Sequence, residues 1–272
     1  MIVITRLRYV TTLRLVLKNI GLISCLAAVL TLGACATLPH GPLVRGRQAD
    51  EVRAAFRAQQ QNCPAGIDAE VSLNIPALNL PDIDGYLLTY VPGYLRFDGL
   101  TPLGLTANIL TINGRRYDYI VVQSQLAYGG TIRGQKYIPP VLAAEAACWL
   151  LGRPCPADHQ LTVEGAGDGN YWLGTVLNGR VRTKILFSPA RGQVQRYLAT
   201  APGYKTLDVY YQYYSRGIGR QNPCRLPDEV RMQLGGHQVF NLKIKNPSVV
   251  KKLRKDRFSI KIPNNYKRIN LH

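Results

Sequence analysis

Two different periods of apolar residues divide the chain. Within residues 50–63 apolar side chains recur every three or four positions. Val52, Ala55 and Phe56 share one face of the amphipathic helix that this spacing predicts. A second helical stretch is predicted at 139–151, where two prolines suit the first turn and a glycine follows the last one.

Beyond residue 69 the apolar period shortens to two. Val71, Leu73 and Ile75 alternate with polar residues, which is the pattern of a strand with one buried face. Similar alternation, or a short apolar run, predicts further strands at 85–91, 94–99, 105–112, 116–122, 125–132, 172–177, 181–187, 210–214, 230–234, 238–244 and 258–263.

Three dipeptides mark tight turns between predicted strands. They are Asn113-Gly114, Asn178-Gly179 and Gly235-Gly236. These residues tolerate the positive φ angles of hairpin turns, so each dipeptide predicts two adjacent antiparallel strands. The glycine-rich stretch 165–170 is also interpreted as a hairpin loop, because no helix follows it as a phosphate-binding loop requires.

The predicted order is one helix, about six strands, a second helix and five or six further strands. Two helices are too few to form a separate layer over so many strands, and a long antiparallel sheet has to curl or be covered. We therefore expect a mainly β (α+β) fold. It consists of a single curved antiparallel half-barrel of about 11 strands, with two helices covering or plugging the open side. Such a barrel can enclose a ligand cavity.

The N-terminal residues have the three parts of an export signal. Residues 1–18 carry four basic residues and no acid, an apolar run follows at 20–32, and small residues precede Cys35. A transmembrane anchor is the less favoured alternative, because the apolar run is shorter than the roughly 20 residues that a spanning helix needs. The sequence Leu32-Gly33-Ala34-Cys35 resembles the bacterial lipobox, in which the cysteine is acylated and becomes the new N-terminus.

The lipobox resemblance implies three regions: a lipoprotein signal peptide at 1–34, a flexible tether at 35–48 that starts at lipidated Cys35, and a folded domain at 49–272. The residue after the cysteine is Ala36 rather than Asp. By resemblance to enterobacterial lipoproteins, this implies lipid anchoring on the periplasmic face of the outer membrane.

Positive charge is concentrated near the C-terminus. The chain has a formal net charge of +18, and the signal carries four of these charges, so the mature chain carries +14. Residues 243–268 contain ten Lys or Arg and one acid, Asp256. Outside the cytoplasm the available polyanions are membrane surfaces, so anionic lipid is a candidate partner for this strip, from Lys243 to Arg268, and nucleic acid is not expected. A solvated basic tail is the alternative.

The cysteine count agrees with export. Cys25 leaves with the signal and Cys35 is the lipid site, so four cysteines remain for two disulfides with three possible connectivities. We favour a local Cys148–Cys155 bridge and a long-range Cys63–Cys224 bridge. A zinc site is less favoured because the chain has no Cys-x-x-Cys pair. No metal or cofactor is expected.

Three segments resemble, in the same order, the LolB family of outer-membrane lipoprotein receptors. Residues 97–104, Phe-Asp-Gly-Leu-Thr-Pro-Leu-Gly, resemble its strand-turn-strand segment. Residues 148–154 resemble the family's Trp-x-x-Gly-x-Pro helix exit, and residues 225–227 with 239–244 resemble its closing hairpin. The resemblance spans about residues 70–246. It implies a half-barrel with a helical lid, as in the LolA carriers, and a hydrophobic cavity for acyl chains.

The resemblance also implies a cargo-transfer loop at Pro102-Leu103-Gly104, with Leu103 at the tip of an exposed turn. Burying a Leu side chain contributes roughly 1.5–3 kcal/mol, which favours entry of an exposed tip into lipid. The alternative is a Leu103 that folds back onto the core. The implied cavity would be lined by alternate apolar residues, each of which is otherwise ordinary core: Leu73, Ile75, Tyr94, Phe97, Ile109, Val121, Trp149 and Trp172.

Catalytic chemistry is poorly represented. The best candidates are Asp158 with His159 and Glu164 with Asp168, and no Gly-x-Ser-x-Gly motif is present. We therefore expect a monomer that is not an enzyme and that binds an acylated protein or a lipid in its half-barrel. The alternative is a structural or assembly lipoprotein that docks to an envelope machine through its basic strip, which predicts a filled barrel.

Replacing Cys35 by Ala is expected to move the protein from the membrane fraction to the soluble fraction, because the acyl anchor is lost. Fractionation of cells followed by immunoblotting measures this distribution. Cys25→Ala is the matched control and should leave the protein anchored. A Cys35→Ala protein that stays in the membrane fraction would refute the lipobox interpretation.

Overall fold

The computed structural model describes residues 38–79, 81–132, 138–155, 161–214 and 224–271. The predicted signal peptide, Cys35 and Ala36 lie outside these residues, as do Asp158 and His159. The residues from Leu38 onward form one compact unit. Within the described part of the chain, no helix is long and apolar enough to cross a membrane.

One open sheet of 14 strands dominates the fold. In chain order its strands are β1 (Gly66–Asn74), β2 (Ile83–Tyr90), β3 (Tyr94–Leu100), β4 (Thr106–Asn113), β5 (Arg116–Val121), β6 (Leu126–Thr131), β7 (Thr162–Gly167), β8 (Asn170–Leu177), β9 (Val181–Ser188), β10 (Gln193–Thr200), β11 (Leu207–Gln212), β12 (Glu229–Leu234), β13 (His237–Val250) and β14 (Lys267–Leu271). Their order across the sheet is β14-β6-β5-β4-β3-β2-β1-β13-β12-β11-β10-β9-β8-β7.

The described helices are few and short. They are α1 (Gly46–Asn62), α2 (Pro140–Ala144) and α3 (Ala146–Leu150), with 3-10 turns at Pro76–Leu78 and Lys255–Phe258. The second predicted helix is therefore two five-residue helices that Glu145 separates. Leu142 and the whole of α3 are buried. Helices this short depend on tertiary contacts, so packing against the sheet determines the conformation of residues 140–150.

The predicted hairpin turns are confirmed. Asn113-Gly114 joins β4 to β5, Asn178-Gly179 joins β8 to β9, and Gly235-Gly236 joins β12 to β13. Each turn has a residue at positive φ, including Gly114 at 62° and Asn178 at 49°. The 165–170 stretch likewise holds the β7–β8 turn, with Asp168 at φ 52°.

The expectation of about 11 strands in a half-barrel is wrong in number, since the structure has one large open sheet of 14 strands. The expected strand at 258–263 is also wrong. Phe258 ends a 3-10 turn and is buried, and the last strand is β14, which pairs in parallel with β6. A parallel partner so distant in sequence leaves no local turn signal.

The core lies between the helices and one face of the sheet, which we call the inner face. Ala49, Val52 and Phe56 of α1 are buried there, and Phe56 meets Phe187 of β9 edge to face with 5.3 Å between ring centroids. Trp149 of α3 is buried, and its indole Nε1 donates to the Leu142 carbonyl oxygen at 2.8 Å. The hydroxyl of Tyr211 donates to the Trp149 carbonyl oxygen, which ties α3 to the sheet.

Part of the predicted tether, 35–48, belongs to the folded domain. Gly165 N–H donates to the Pro42 carbonyl oxygen at 2.8 Å, and Val44 N–H donates to the Val163 carbonyl oxygen at 2.9 Å. A Cβ on Gly41 would lie 1.9 Å from the carbonyl oxygen of Gly165, so only glycine permits this approach. Residues 41–44 thus cover the edge strand β7.

Two disulfides join the pairs that the sequence favours. Cys63, at the end of α1, is bonded to Cys224, which precedes β12, over a sequence separation of 161 residues. Cys148 in α3 is bonded to Cys155, over a separation of seven residues. The long-range bridge closes a loop that contains most of the sheet.

Removing the Cys63–Cys224 bridge with a double Ala variant is expected to lower the free energy of unfolding more than removing Cys148–Cys155. Chain entropy gives about 5 kcal/mol for a loop of this length and about 2.5 kcal/mol for the short loop. Urea unfolding monitored by tryptophan fluorescence measures both values. Equal losses, or a larger loss from the short bridge, would contradict this ranking.

Candidate functional site

The turn between β3 and β4 holds two leucines away from the core. Thr101 N–H donates to the Leu105 carbonyl oxygen at 2.7 Å, and Gly104 N–H donates to the Thr101 carbonyl oxygen at 2.9 Å. The Leu105 N–H donates to the Thr101 hydroxyl at 3.1 Å. Gly104 has φ 78°, a conformation that side-chain-bearing residues rarely adopt. These contacts give the turn a defined conformation.

Leu103 is 85% exposed and Leu105 is 66% exposed. Leu103 therefore does not fold back onto the core. Pro102 and Gly104 flank it and are exposed as well. Sequence reasoning missed Leu105, because the residue directly follows the turn and was assigned to the next strand. Leu103 and Leu105, two exposed leucines separated by Gly104, form an apolar tip, which we call the leucine turn.

The leucine turn lies at one end of the sheet, which we call the Leu103 end. Because successive strands are antiparallel, the connections after β1, β3, β5, β8, β10 and β12 all lie at this end. Leu78, after β1, and Tyr204, after β10, are also exposed there. Gly235 N–H donates to the Thr206 carbonyl oxygen at 2.8 Å and links two of these connections. Exposed apolar side chains therefore recur along the Leu103 end.

Five of the eight proposed cavity residues are placed on the inner side or beside it. Phe97 and Trp149 are part of the core, and Leu73 packs against it. Val121 lies on the inner face as well. It pairs with Asn108, and Asn108 is on the same face of β4 as Leu110, which pairs with the core residue Phe97. Ile75 follows the end of β1 and is half-buried.

The other three proposed cavity residues lie on the opposite, outer face of the sheet. Tyr94 packs against Phe258 with 5.4 Å between ring centroids. Ile109 pairs with Asp98. Because the next residue in that strand, Phe97, is in the core, Asp98 and Ile109 lie on the outer face. Trp172 is paired with Glu164, whereas the adjacent Leu173 is in the core. Apolar residues alternate to both faces at these positions, so apolarity alone does not identify the inner face.

One small cavity lies where the second helical segment meets the inner face. A cavity of about 10 Å³ is lined by Glu145, Pro154, Cys155, Leu177, Thr183, Ile185 and Tyr197. A cavity of this size holds about one water molecule and no acyl chain. Side chains of α1 and α3 belong to the same packed core as this part of the sheet.

Glu145 is the carboxylic acid that lines this cavity. Burial raises the pKa of its carboxyl from 4.5 to about 7. Burial also raises the pKa of Tyr197 well above its usual range, and the charge of Glu145 adds to that increase. A lone carboxylate among the alanines of 143–147 was a signal in the sequence for this position.

Arg153 joins the second helical segment to the end of α1. Its guanidinium donates to the carbonyl oxygens of Gln60 (2.6 Å) and Pro64. These are unpaired carbonyls at and after the C-terminus of the helix, where a cation is favourable. Burial lowers the pKa of Arg153 to about 10, and its Nε has no partner among the described residues.

The outer face carries a polar cleft of about 470 Å³, lined by Asp68, Tyr86, Leu88, Arg96, Asp98 and Arg257. Arg96 Nε lies 2.9 Å from an Asp98 carboxylate oxygen, and Arg257 Nη2 lies 3.0 Å from Asp68 Oδ2. Arg96 Nη1 also donates to the Arg257 carbonyl oxygen at 3.2 Å. These bonds attach the C-terminal segment to the sheet.

The two described carboxylates that the sequence offered for catalysis, Glu164 and Asp168, have structural roles. Glu164 accepts a hydrogen bond from Lys184 Nζ at 2.5 Å and from Gly41 N–H at 3.0 Å. Asp168 occupies the β7–β8 turn. Within the described residues, no group of three or more His, Cys, Asp or Glu side chains is arranged to hold a metal ion.

No protein family model matches this chain, and no curated protein is significantly similar to it. Solved structures do match. The chain is similar to a DUF1329 family protein from Desulfovibrio piger, with 10% identity and a TM-score of 0.50, over 77% of this chain and 97% of that one. That likeness shows a common fold and nothing more.

Two further structures match with lower TM-scores. A LolA superfamily protein from Nitrosomonas europaea matches at 8% identity and a TM-score of 0.47, over 76% of this chain and 97% of that one. An uncharacterized conserved protein from Thermus thermophilus matches at 11% identity and a TM-score of 0.38, over 81% and 99%.

Glu145 is expected to make stability depend on pH. Between pH 4.5 and about 7 the folded protein holds a proton that the unfolded chain has released, so stability falls as pH rises through this window. Glu145→Gln removes the buried charge and should raise the free energy of unfolding at pH 8 by about 2 kcal/mol, a value reduced for the carboxyl's partial exposure. At pH 4 the variant and wild type should be alike.

Urea unfolding of both proteins at pH 4 and pH 8 measures this difference. Glu51→Gln is the matched control, because Glu51 is exposed and forms only a surface ion pair with Arg47. A Glu145→Gln protein that gains no stability at pH 8 would show that the carboxyl is not buried in its charged form.

Proposed function

We propose that this protein is a lipid-anchored envelope protein that binds acyl chains and contacts lipid through its leucine turn. The observation that carries the proposal is the exposure of Leu103 and Leu105 on a turn with a defined conformation. Anchoring is assigned to Cys35, on the periplasmic face of the outer membrane, and the cargo is a lipid or an acylated protein. The protein has no catalytic role.

The physical basis of membrane contact is the transfer of two leucines out of water. Each fully buried Leu side chain contributes roughly 1.5–3 kcal/mol. Folding does not bury these side chains, so this free energy is available to an external apolar phase. Because hydrogen bonds within the turn already fix its conformation, little conformational entropy is lost when the turn enters lipid.

The proposed acyl site lies between the inner face and the helices α2 and α3. Phe97, Trp149 and Leu73 line this region, and an acyl chain would replace contacts that these helices make with the sheet. Both helices have only five residues, and short helices depend on tertiary contacts for their stability. The sequence resemblance of residues 97–104 and 148–154 to the LolB family supports an acyl ligand here.

A structural or assembly role is the second candidate. It is favoured by the packing of the inner face, where Phe56 meets Phe187 and the cavity beside Glu145 measures about 10 Å³. In this alternative the filled sheet is a docking module, and the leucine turn contacts a protein of an envelope machine instead of lipid. The two candidates differ in whether the inner face opens to admit an acyl chain.

Leu103→Glu is expected to weaken binding of the Leu38–His272 unit to phosphatidylcholine vesicles by about ten- to hundredfold, because an apolar contact is replaced by a charge. Cosedimentation with vesicles measures this binding. Val249→Glu is the matched control, since Val249 is an exposed apolar residue near the end of β13, at the opposite end of the sheet from the leucine turn.

Acyl binding is measured separately with fluorescently labelled palmitate and by native mass spectrometry of protein purified from the periplasm. The carrier proposal requires uptake of the label or a copurified lipid. Binding to vesicles without any acyl uptake would exclude the carrier and leave the docking role.

A further inference from the structure

The C-terminal residues 251–271 form a strap across the outer face of the sheet. The strap leaves β13, places Phe258 against Tyr94, and returns as β14 beside β6. Phe258 is only 2% exposed. The ion pair of Arg257 with Asp68 and the pairing of β14 with β6 hold the strap along its length. It is therefore a fixed part of the domain and not a solvated tail.

Most cations of the strap are exposed without a counter-charge. Arg254 pairs with Asp256, and Arg257 pairs with Asp68. Among the described residues, six further exposed cations have no ion pair: Lys251, Lys252, Lys255, Lys261, Lys267 and Arg268. Like charges held close together repel each other, so a fixed strap of this composition favours an anionic partner.

The C-terminal part of the strap brings its charge to the Leu103 end. The first part of the strap follows the end of β13 and packs Phe258 against Tyr94, at the start of β3, so it lies at the opposite end of the sheet. Lys267 N–H donates to the carbonyl oxygen of Gln125, in the connection after β5, and β14 starts there. Between the leucine turn, after β3, and β14 lie β4, β5 and β6. At a strand spacing of about 4.8 Å, the cationic start of β14 lies roughly 15–20 Å from the leucine turn.

Acidic residues are missing from this part of the Leu103 end. The residues that form it, 100–107, 119–127 and 262–269, are all described and contain no Asp or Glu. Asp82 and Asp84 lie at the start of β2, on the other side of β3 from β14. An anionic surface that contacts the leucine turn and β14 together therefore meets no acidic side chain between them.

We propose that the leucine turn and the last cations of the strap, Lys261, Lys267 and Arg268, form one docking surface for an anionic phospholipid bilayer. The leucines enter the acyl region, and these Lys and Arg side chains of the strap contact headgroup phosphates. Apolar anchors beside basic residues are typical of proteins that bind anionic membrane surfaces. This inference rests on the proposed membrane contact of the leucine turn and adds a selectivity for lipid charge.

The test compares vesicles of phosphatidylcholine alone with vesicles of phosphatidylcholine and phosphatidylglycerol in equal amounts. The Leu38–His272 unit should bind the anionic vesicles more tightly by at least tenfold, and added salt should remove the difference because it screens exposed charges. This salt titration uses the wild-type protein, so it does not depend on how any variant folds.

A strap variant with Lys261→Glu, Lys267→Glu and Arg268→Glu should bind anionic vesicles about a hundredfold more weakly, at about fivefold for each cation near the surface. Its binding to phosphatidylcholine vesicles should not change. The matched control carries Arg57→Glu, Arg116→Glu and Arg191→Glu, which alter net charge equally at exposed sites outside the strap. Circular dichroism verifies that both variants are folded.

The outcomes separate the two proposals. Equal binding of wild type to both vesicle types, or equal losses in the strap and control variants, overturns the anionic docking surface and leaves the leucine turn as the contact. Loss of vesicle binding by Leu103→Glu while the strap variant keeps its charge-dependent binding likewise overturns a joint surface. Absence of acyl uptake overturns the carrier function without affecting the docking surface.

Discussion

The structure depends on one constraint: a sheet of 14 strands has to bury an apolar inner face, and the helices in the described part of the chain have only 17, five and five residues. Large side chains on those helices supply the missing cover. Phe56 inserts against Phe187, and Trp149 is held by bonds to Leu142 and Tyr211. The long-range disulfide at Cys63 and the buried Arg153 both fix the end of α1, so each of these features serves the same requirement.

The edges of an open sheet impose a second requirement, because unpaired strands attract other strands. Residues 41–44 cover β7, and the strap ends as β14 on the far side of β6. Segments that look like accessories in the sequence, a proline-rich tether and a basic tail, are therefore parts of the fold. The strap also places the unpaired cations Lys267 and Arg268 at the Leu103 end, so the segment that completes the sheet also makes this end positively charged.

Local signals in the sequence were sufficient for the hairpins, since Asn113-Gly114 and Asn178-Gly179 specify backbone angles that few other residues adopt. The sequence carried no comparable signal for pairing between strands that are distant in the chain. β14 finds a parallel partner about 140 residues earlier in the chain. The assignment of Tyr94 to the cavity failed because Tyr94 and Phe97, three residues apart in a strand, lie on opposite faces. Leu103 was found through its turn residues, and Leu105 was missed because it borders a strand.

The leucine turn and the packed inner face favour different functions: the first favours contact with lipid, and the second favours a structural module. The exposed leucines gain burial free energy only from an external apolar partner, whereas the packed contacts of the inner face form without one. In the proposed carrier an acyl chain replaces the contacts of α2 and α3. These helices meet at Glu145, whose pKa burial raises to about 7. Ionisation of Glu145 weakens the packing where α2 and α3 meet the sheet, and in the proposed carrier this is the point at which an acyl chain would enter.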